Sequence, residues 1–520
     1  MRQGLDEAPR KRASRKRGAY KFVNVLFISS VQDYIRPEKP VYTQEKIALG
    51  VSYIASMLRT PGPRSAGHAT RLVVLTEETK REVLDAAVAE FGPSLVCLTA
   101  VFSEYPLIQW TAEYLKRAYP NLYLLVGGPH VSLHPDSAIE GPFDAVCVGE
   151  GEFPTLELVR QLERGETPHG IKNLYLKHGS DIEKNPTRDF IQDLDCFPFP
   201  DREMWQPWIE DPDTFECVIL GRGCAFNCTY CFNHALKGIA RGNYVRLRSP
   251  ENILAEIRQL VERRPSTEHL YLEVETICSD MHFALELCRQ LKAFNSERAR
   301  PVTFGANIRV TPDVGPGVRE YGALFAAMRE ASFTYVNIGL ESGSPRVREQ
   351  SLQRQYSNDD VIRAVQGAKK EGLAARLFVL VGIPGETYED FQQTIECTRC
   401  CQPDDVFLSI FTPYPGTVLY RMCEEMGLLD KGLDMRLQRR RALLNLPGFT
   451  KRQIQREYRL FLYKVYKGHR PLATILRPVI HEWIFTSFAL HALYRAYKRS
   501  PILRATVRAL RGQAQRRPHA

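Results

Sequence analysis

The stretch Gly221-Arg-Gly-Cys-Ala-Phe-Asn-Cys-Thr-Tyr-Cys-Phe-Asn-His234 decides how this chain is read. It sets Cys224, Cys228 and Cys231 in a Cys-x3-Cys-x2-Cys spacing directly after the apolar run from Cys217 to Leu220. Three thiolates so close in sequence can hold three corners of a four-iron cube, which leaves the fourth iron open to an outside ligand. Two other readings stand beside this one. A zinc site would need a fourth Cys or His, for which His234 is at hand, and the thiols could simply be buried in a core.

Working outward, a chain of 520 residues is long enough for two or three domains. With 44% hydrophobic and 25% charged residues its composition is that of an ordinary soluble protein. The thirteen cysteines are scattered, and three of them form the motif, which predicts a reducing compartment. No 18-residue apolar stretch can span a bilayer and the N-terminus has no apolar signal core, so a cytoplasmic protein is expected. Much of the net charge of +10 sits at the two ends, in Arg10 to Arg17 and in Lys498 to Arg517. Such arms contact nucleic acid or an anionic membrane, or are plain solvated tails; the last is preferred, and residues 1–20 are expected to be disordered.

Between the basic start and the cysteine motif, short runs rich in Val, Leu and Ile recur at 23–30, 71–76, 94–101, 122–126 and 144–148. They read as buried parallel strands, and the amphipathic stretches 45–58, 80–91, 106–119, 153–163 and a weaker 132–140 as the helices among them. Five strand-helix units predict a flavodoxin-like, doubly wound α/β domain over 21–190, with its ligand at the carboxyl ends of the strands. Ser29, Thr99, Ser103, Gly127, Gly128, Pro129, His130 and Gly149 lie at those ends. Pro198 and Pro200 in DLDCFPFP place a linker at 191–215.

From 216 to 428 strand and helix alternate six more times, with strands at 217–220, 269–275, 303–309, 335–341, 376–382 and 406–412. Six units make a partial (β/α)6 barrel whose function lies at the C-terminal strand ends. The region 429–520 reads as helical, with Trp483, Phe485, Phe488, Leu490, Leu493 and Tyr494 on a stretch that turns basic at its end. Helices that shape the barrel mouth are the preferred reading over a membrane-surface or partner-binding helix.

The cysteine spacing, Tyr230 before the third cysteine and the glycines before the first resemble the radical S-adenosylmethionine (SAM) superfamily. The segment Val126 to Asp136 (VGGPHVSLHPD), followed by CVGEGE at 147–152, looks like the cobalamin-binding domain of its cobalamin-dependent members. The resemblance implies three cofactors: a 4Fe-4S cluster on the three cysteines, SAM on the open iron, and cobalamin at the first domain's strand ends. It implies SAM contacts for Tyr230, Glu275, Arg309, Glu341, Ser342 and Arg354, and places Gly382 to Glu386 near the adenine. The Asp-x-His-x-x-Gly signature is missing, and none of His68, His130, His134, His169 and His178 falls in the first loop, Ser30 to Arg36. Cobalamin without a protein histidine on cobalt is therefore expected.

The implied reaction is C-methylation of an unactivated carbon on a small molecule. A 5'-deoxyadenosyl radical removes hydrogen, methylcobalamin gives the methyl, and a flavodoxin or ferredoxin supplies electrons. That scheme names no catalytic side chain. A radical cyclase or rearrangement enzyme is the nearer alternative. An RNA-modifying methylthiotransferase would want three more cysteines in the first domain, which offers only Cys97 and Cys147, and a nucleic-acid partner is not expected. A non-catalytic protein of the same fold would be expected to have lost a cluster cysteine.

Overall fold

A computed structural model of the chain describes residues 23–32, 34, 36–42, 47–61, 67–211, 216–311, 319–430 and 438–487, with isolated positions up to 500. The basic segments at both ends, Phe488 and the Phe485 side chain lie outside the described residues.

Strands β1 (Val25–Ser30), β2 (Thr70–Leu75), β3 (Leu95–Thr99), β4 (Tyr123–Gly127) and β5 (Ala145–Cys147) form a parallel sheet in the order β2-β1-β3-β4-β5. Every residue of β1 is buried, as its unbroken apolar run requires when helices cover both faces. One core packs Phe27, Leu72, Leu95 and Leu125 against the helix Leu49–Arg59, and the other packs Leu26, Val73, Val96 and Leu124 on the opposite face. Because β1 pairs with both β2 and β3, the winding reverses there and opens a crevice above the strand ends.

Three details differ from the sequence reading. The weak helix at 132–140 is two short helices, Pro129–Leu133 and Pro135–Glu140, because Pro135 holds His134 out of helical geometry at φ −134°, ψ 51°. An antiparallel hairpin, β6 (Leu174–His178) and β7 (Asp181–Lys184), extends the sheet beyond β5. Only Leu174 and Leu176 of that hairpin are fully buried, so it carried too little apolar pattern to be read. The described part of the 191–215 linker, 191–211, packs on the first domain: Phe197, Trp205 and Ile209 are buried in the first core, and the Trp205 indole donates to Ser52 Oγ at 2.8 Å. Prolines exclude helix and strand interiors, but they do not exclude burial.

The second sheet is wholly parallel and runs β8 (Glu216–Ile219), β11 (His269–Glu273), β12 (Thr303–Ile308), β13 (Phe333–Glu341), β14 (Ala374–Val381), β15 (Asp405–Ile410) in sequence order. Helices at Pro250–Arg263, Met281–Ser296, Arg319–Glu330, Asn358–Lys370 and Tyr388–Cys401 return the chain between strands, giving the partial barrel that was expected. A two-residue antiparallel pair, β9 (Gly221–Arg222) with β10 (Arg246–Leu247), brackets the cysteine loop. Helix Lys451–Tyr466 packs on Tyr388–Cys401 through Phe461 and Phe391, ring centroids 5.7 Å apart, and Leu472–Thr486 packs on it in turn. Among the described residues no helix is long and apolar enough to cross a membrane.

Candidate active site

The cysteine loop leaves β8 through a turn that only glycine can make. Gly223 has φ +85°, and a Cβ there would stand 2.1 Å from the Tyr244 carbonyl oxygen. Cys228 is buried and Cys224 and Cys231 are half-buried. Burial raises the Cys224 thiol and pushes Cys231 up to about 11, so bare thiolates are disfavoured here without a metal to compensate. Cys228 Sγ accepts from Arg309 Nη1 at 2.8 Å, and Cys231 Sγ from Asn233 Nδ2 at 3.6 Å. Among the described residues no three His, Cys, Asp or Glu side chains converge on one metal ion. His234 Nδ1 lies 3.1 Å from the Cys228 carbonyl oxygen, and no zinc tetrahedron forms. Three thiols without a fourth ligand fit an iron-sulfur cube with one open corner.

The strand ends around this loop carry a linked set of polar side chains. Asn233 Nδ2 donates to Glu275 Oε1 at 2.8 Å while Tyr244 Oη donates to Asn233 Oδ1 at 2.7 Å. Burial raises the Glu275 carboxyl above its ordinary range. At the end of β13, Glu341 takes a left-handed φ of +56° where the register slips after Gly339. Arg354 Nη1 donates to Glu341 Oε1 at 2.8 Å and to Tyr230 Oη at 3.0 Å. A Cβ at position 339 would lie 2.8 Å from Glu341 Oε1, so Gly339 makes the room for this pair. The Arg309 guanidinium lies 3.4 Å above the Phe226 ring. Arg309 Nε and Arg354 Nε are buried and have no partner among the described residues, so each keeps a donor for a ligand that carries carboxylate or hydroxyl oxygens. That donor set fits SAM.

Ser342 and Glu386 serve the loops instead. Ser342 Oγ sits 3.3 Å from Thr394 Oγ1 and accepts from the Ser344 amide, behind the strand end. Glu386 accepts from the amides of Gly382 and Ile383, and burial pushes its carboxyl up to about 8.

The carboxyl end of the first sheet faces this loop. Ser29 and Ser30 are buried at the end of β1, and Ser30 Oγ donates to Glu104 Oε2 at 3.2 Å across the crevice. Burial pushes Glu104 up to about 7. Thr99 and Gly127 close β3 and β4, Pro129 opens the short helix that follows, and Ser103 Oγ accepts from Gln438 Nε2 at 2.7 Å. His130 stacks among Tyr105, His134 and Phe102, with ring centroids 4.4, 5.3 and 5.4 Å away, and burial lowers it to about 4. His134 Nε2 is buried without a partner among the described residues, 3.7 Å from where a Cβ on Gly416 of the barrel would stand. An orphaned ring nitrogen and a rim of small polar residues, facing the barrel at a topological switch point, fit a ligand such as cobalamin.

Gly128 is glycine for a reason internal to the fold. Its φ is +106°, and a Cβ would meet the Ala100 carbonyl oxygen at 2.6 Å. Gly149 shares the left-handed backbone, at φ +87°, and in addition a Cβ there would meet Ile239 of the barrel side at 3.2 Å.

Sequence reasoning missed what holds the two ends together. Arg222, two residues before Cys224, pairs with Glu150 at 3.0 Å and with Glu152 at 2.5 Å, and Arg246 pairs with Glu150 at 2.9 Å. The CVGEGE segment thus clamps the first domain to the hairpin that carries the cysteine loop. Asn233, Tyr244 and Glu104 were missed too, since single polar residues on loops give no periodic signal.

Two sheets have their ligand ends opposed, and one bears a three-cysteine loop, the arrangement in which a radical SAM domain and a B12-binding domain would meet. Residues 218–398 match the Radical SAM superfamily and residues 41–159 the B12 binding domain, so the chain joins a radical SAM domain to a B12-binding one. It is 29% identical over 457 residues to an uncharacterized methyltransferase of Pyrococcus horikoshii, covering 86% of this chain and 94% of that one. Its fold resembles OxsB, a cobalamin-dependent S-adenosylmethionine radical enzyme whose structure holds aqua-cobalamin and S-adenosylmethionine. The TM-score is 0.67 at 14% identity, over 95% of this chain and 76% of that one. It also resembles the radical S-adenosylmethionine methyltransferase TsrM from Kitasatospora setae, with a TM-score of 0.60 at 16% identity, over 78% of both chains.

Proposed function

We propose that the protein methylates an unactivated carbon of a small-molecule substrate, with a 4Fe-4S cluster on Cys224, Cys228 and Cys231, SAM and cobalamin as cofactors and a reduced flavodoxin or ferredoxin as electron donor. The observation that carries this reading is the clamp of Glu150 and Glu152 on Arg222 and Arg246. It keeps the loop where a radical would arise against the rim where cobalamin would present a methyl group. When bound, the cofactors supply the radical and the methyl group, and the protein positions them.

The chain's own residues do the positioning. Glu275 and Glu341 offer carboxylates to the SAM ammonium, while Arg309 and Arg354 hold donors toward its carboxylate and ribose oxygens. Ser29, Thr99, Ser103, Gly127, Gly128, Pro129, His130 and Gly149 shape the rim for cobalamin. Burial keeps His130 neutral at that rim near neutral pH and keeps Glu104 largely protonated below about pH 7.

The test is anaerobic reconstitution with hydroxocobalamin, a strong reductant and SAM labelled in its methyl group. The label should appear on cobalamin, with S-adenosylhomocysteine as co-product, and 5'-deoxyadenosine should form in the same reaction. Deoxyadenosine without any labelled methylcobalamin would refute methyl transfer and leave plain radical chemistry.

A further inference from the structure

The helix Leu472–Thr486 presents two adjacent rows of side chains. The first row seats it on the helix Lys451–Tyr466. Ile475 and Val479 are buried there, Tyr458 Oη donates to Glu482 at 3.1 Å, and Arg459 Nε donates to Thr486 Oγ1 at 2.9 Å. The second row is Leu472, Leu476, Ile480 and Trp483, spaced four, four and three residues apart, which puts them on one stripe. These four are 56, 40, 56 and 44% exposed; the Arg459 guanidinium lies 4.6 Å over one face of the Trp483 ring and leaves the rest of it open. Large apolar side chains scattered singly on a surface need no explanation, but a contiguous row marks a contact site.

Charge says what the contact is. From Ser487 to Ala520 the sequence holds eight Lys and Arg and no Asp or Glu. Within that stretch Leu503, Val507 and Leu510 recur three and four apart, as do Arg504, Arg508 and Arg511. Arg477 and His481 stand exposed on the helix itself, between its apolar stripe and solvent. An apolar stripe joined to a purely basic segment matches a surface with an oily interior and anionic headgroups. No described helix can cross a bilayer, so such a helix would lie in the interface plane. A second copy of the chain is the poorer fit, since four half-exposed side chains fall well short of the about 800 Å² per partner that stable protein interfaces bury.

We propose that the stripe Leu472, Leu476, Ile480 and Trp483, with the basic segment after it, docks the enzyme on an anionic lipid bilayer. This is independent of the methylation reading. The probe is co-sedimentation of the full reconstituted chain with vesicles of phosphatidylcholine alone or of phosphatidylcholine mixed with phosphatidylglycerol. The chain should bind the mixed vesicles at low salt, and Trp emission should shift to the blue. Binding should weaken about tenfold without phosphatidylglycerol or at high salt. The double variant Leu476→Glu, Ile480→Glu changes only exposed positions and should keep the melting temperature and SAM cleavage, yet lose binding to mixed vesicles about tenfold. Equal binding by wild type and double variant would assign the effect to the basic termini alone and overturn the proposal. So would no binding by either, or a dimer that the double variant dissolves without any vesicle binding by the wild type.

Discussion

At the barrel end, Glu341, Arg354 and Tyr230 are locked into a buried charged chain, with Glu275, Asn233 and Tyr244 as a second one beside it. At the facing end of the first sheet the corresponding places are taken by Ser29, Thr99, Gly127, Gly128 and Gly149, with the half-buried carboxyl of Glu104, a histidine pair, and Glu150 and Glu152 already engaged by the clamp. The barrel end recognises by charge: each of its groups has a partner set at a fixed distance, and removal of one leaves the other stranded. The first sheet's end offers shape instead, small residues and backbone N–H and C=O groups, as suits a large ligand rimmed with amides. Substitutions should therefore be abrupt at one end and graded at the other.

The largest effect belongs to the cysteines. Cys224, Cys228 and Cys231, changed together to Ala, should leave no iron after reconstitution and no 5'-deoxyadenosine, while cobalamin binding persists. Iron analysis and product chromatography check this, and full iron in the triple variant would break the barrel side of the comparison.

Next comes Arg354→Met, which strands the buried Glu341 carboxylate. Loss of one partner of a buried pair costs about 3–5 kcal/mol, so denaturant unfolding should shift by that order and SAM cleavage should fail with it. The matching change at the other end is Gly128→Ala. It forces a side chain into φ +106° beside the Ala100 carbonyl and should cost about 1–3 kcal/mol. Cobalamin, measured by its absorbance after desalting, should be retained only in part while cluster iron and SAM cleavage remain.

The smallest effect is a pH dependence. Glu104 is held at about 7 by burial, above its ordinary 4.5, so its ionisation is opposed only in the folded state. Both states are protonated below about 4.5, so nothing is lost there; stability falls as pH rises from about 4.5 to about 7 and stays lowered above. Glu104→Gln keeps an acceptor for Ser30 and should raise the melting temperature above pH 7 but not near pH 4.5. A gain of equal size at both pH values would mean that burial of this carboxyl is not what strains the rim.

The two ends also differed in how legible they were. Barrel chemistry needs particular side chains at particular strand ends, so Cys224, Cys228, Cys231, Glu275, Arg309, Glu341 and Arg354 could be picked out in chain order, and the structure gathers all of them around one loop. A rim made of small residues leaves hardly more than glycines after strands, which tight turns produce anyway. Gly128 shows the ambiguity: a gap for a ligand and a left-handed turn against Ala100 look the same in sequence. The Glu150, Glu152 and Arg222 clamp joins residues about seventy positions apart, and no local pattern announces such a pair. Trp205 was hidden because prolines around it read as a linker, although its indole is fully buried.

The most direct measurement of the central claim is the cofactor content of the anaerobically reconstituted chain, followed by electron paramagnetic resonance of its Co(II) form. The account predicts one cobalamin and one 4Fe-4S cluster per chain, and a cobalt spectrum without nitrogen superhyperfine splitting, unchanged by His130→Ala. A chain that holds its cluster and cleaves SAM but binds no cobalamin would contradict the account, and nitrogen splitting that disappears in His130→Ala would contradict its histidine-free cobalt.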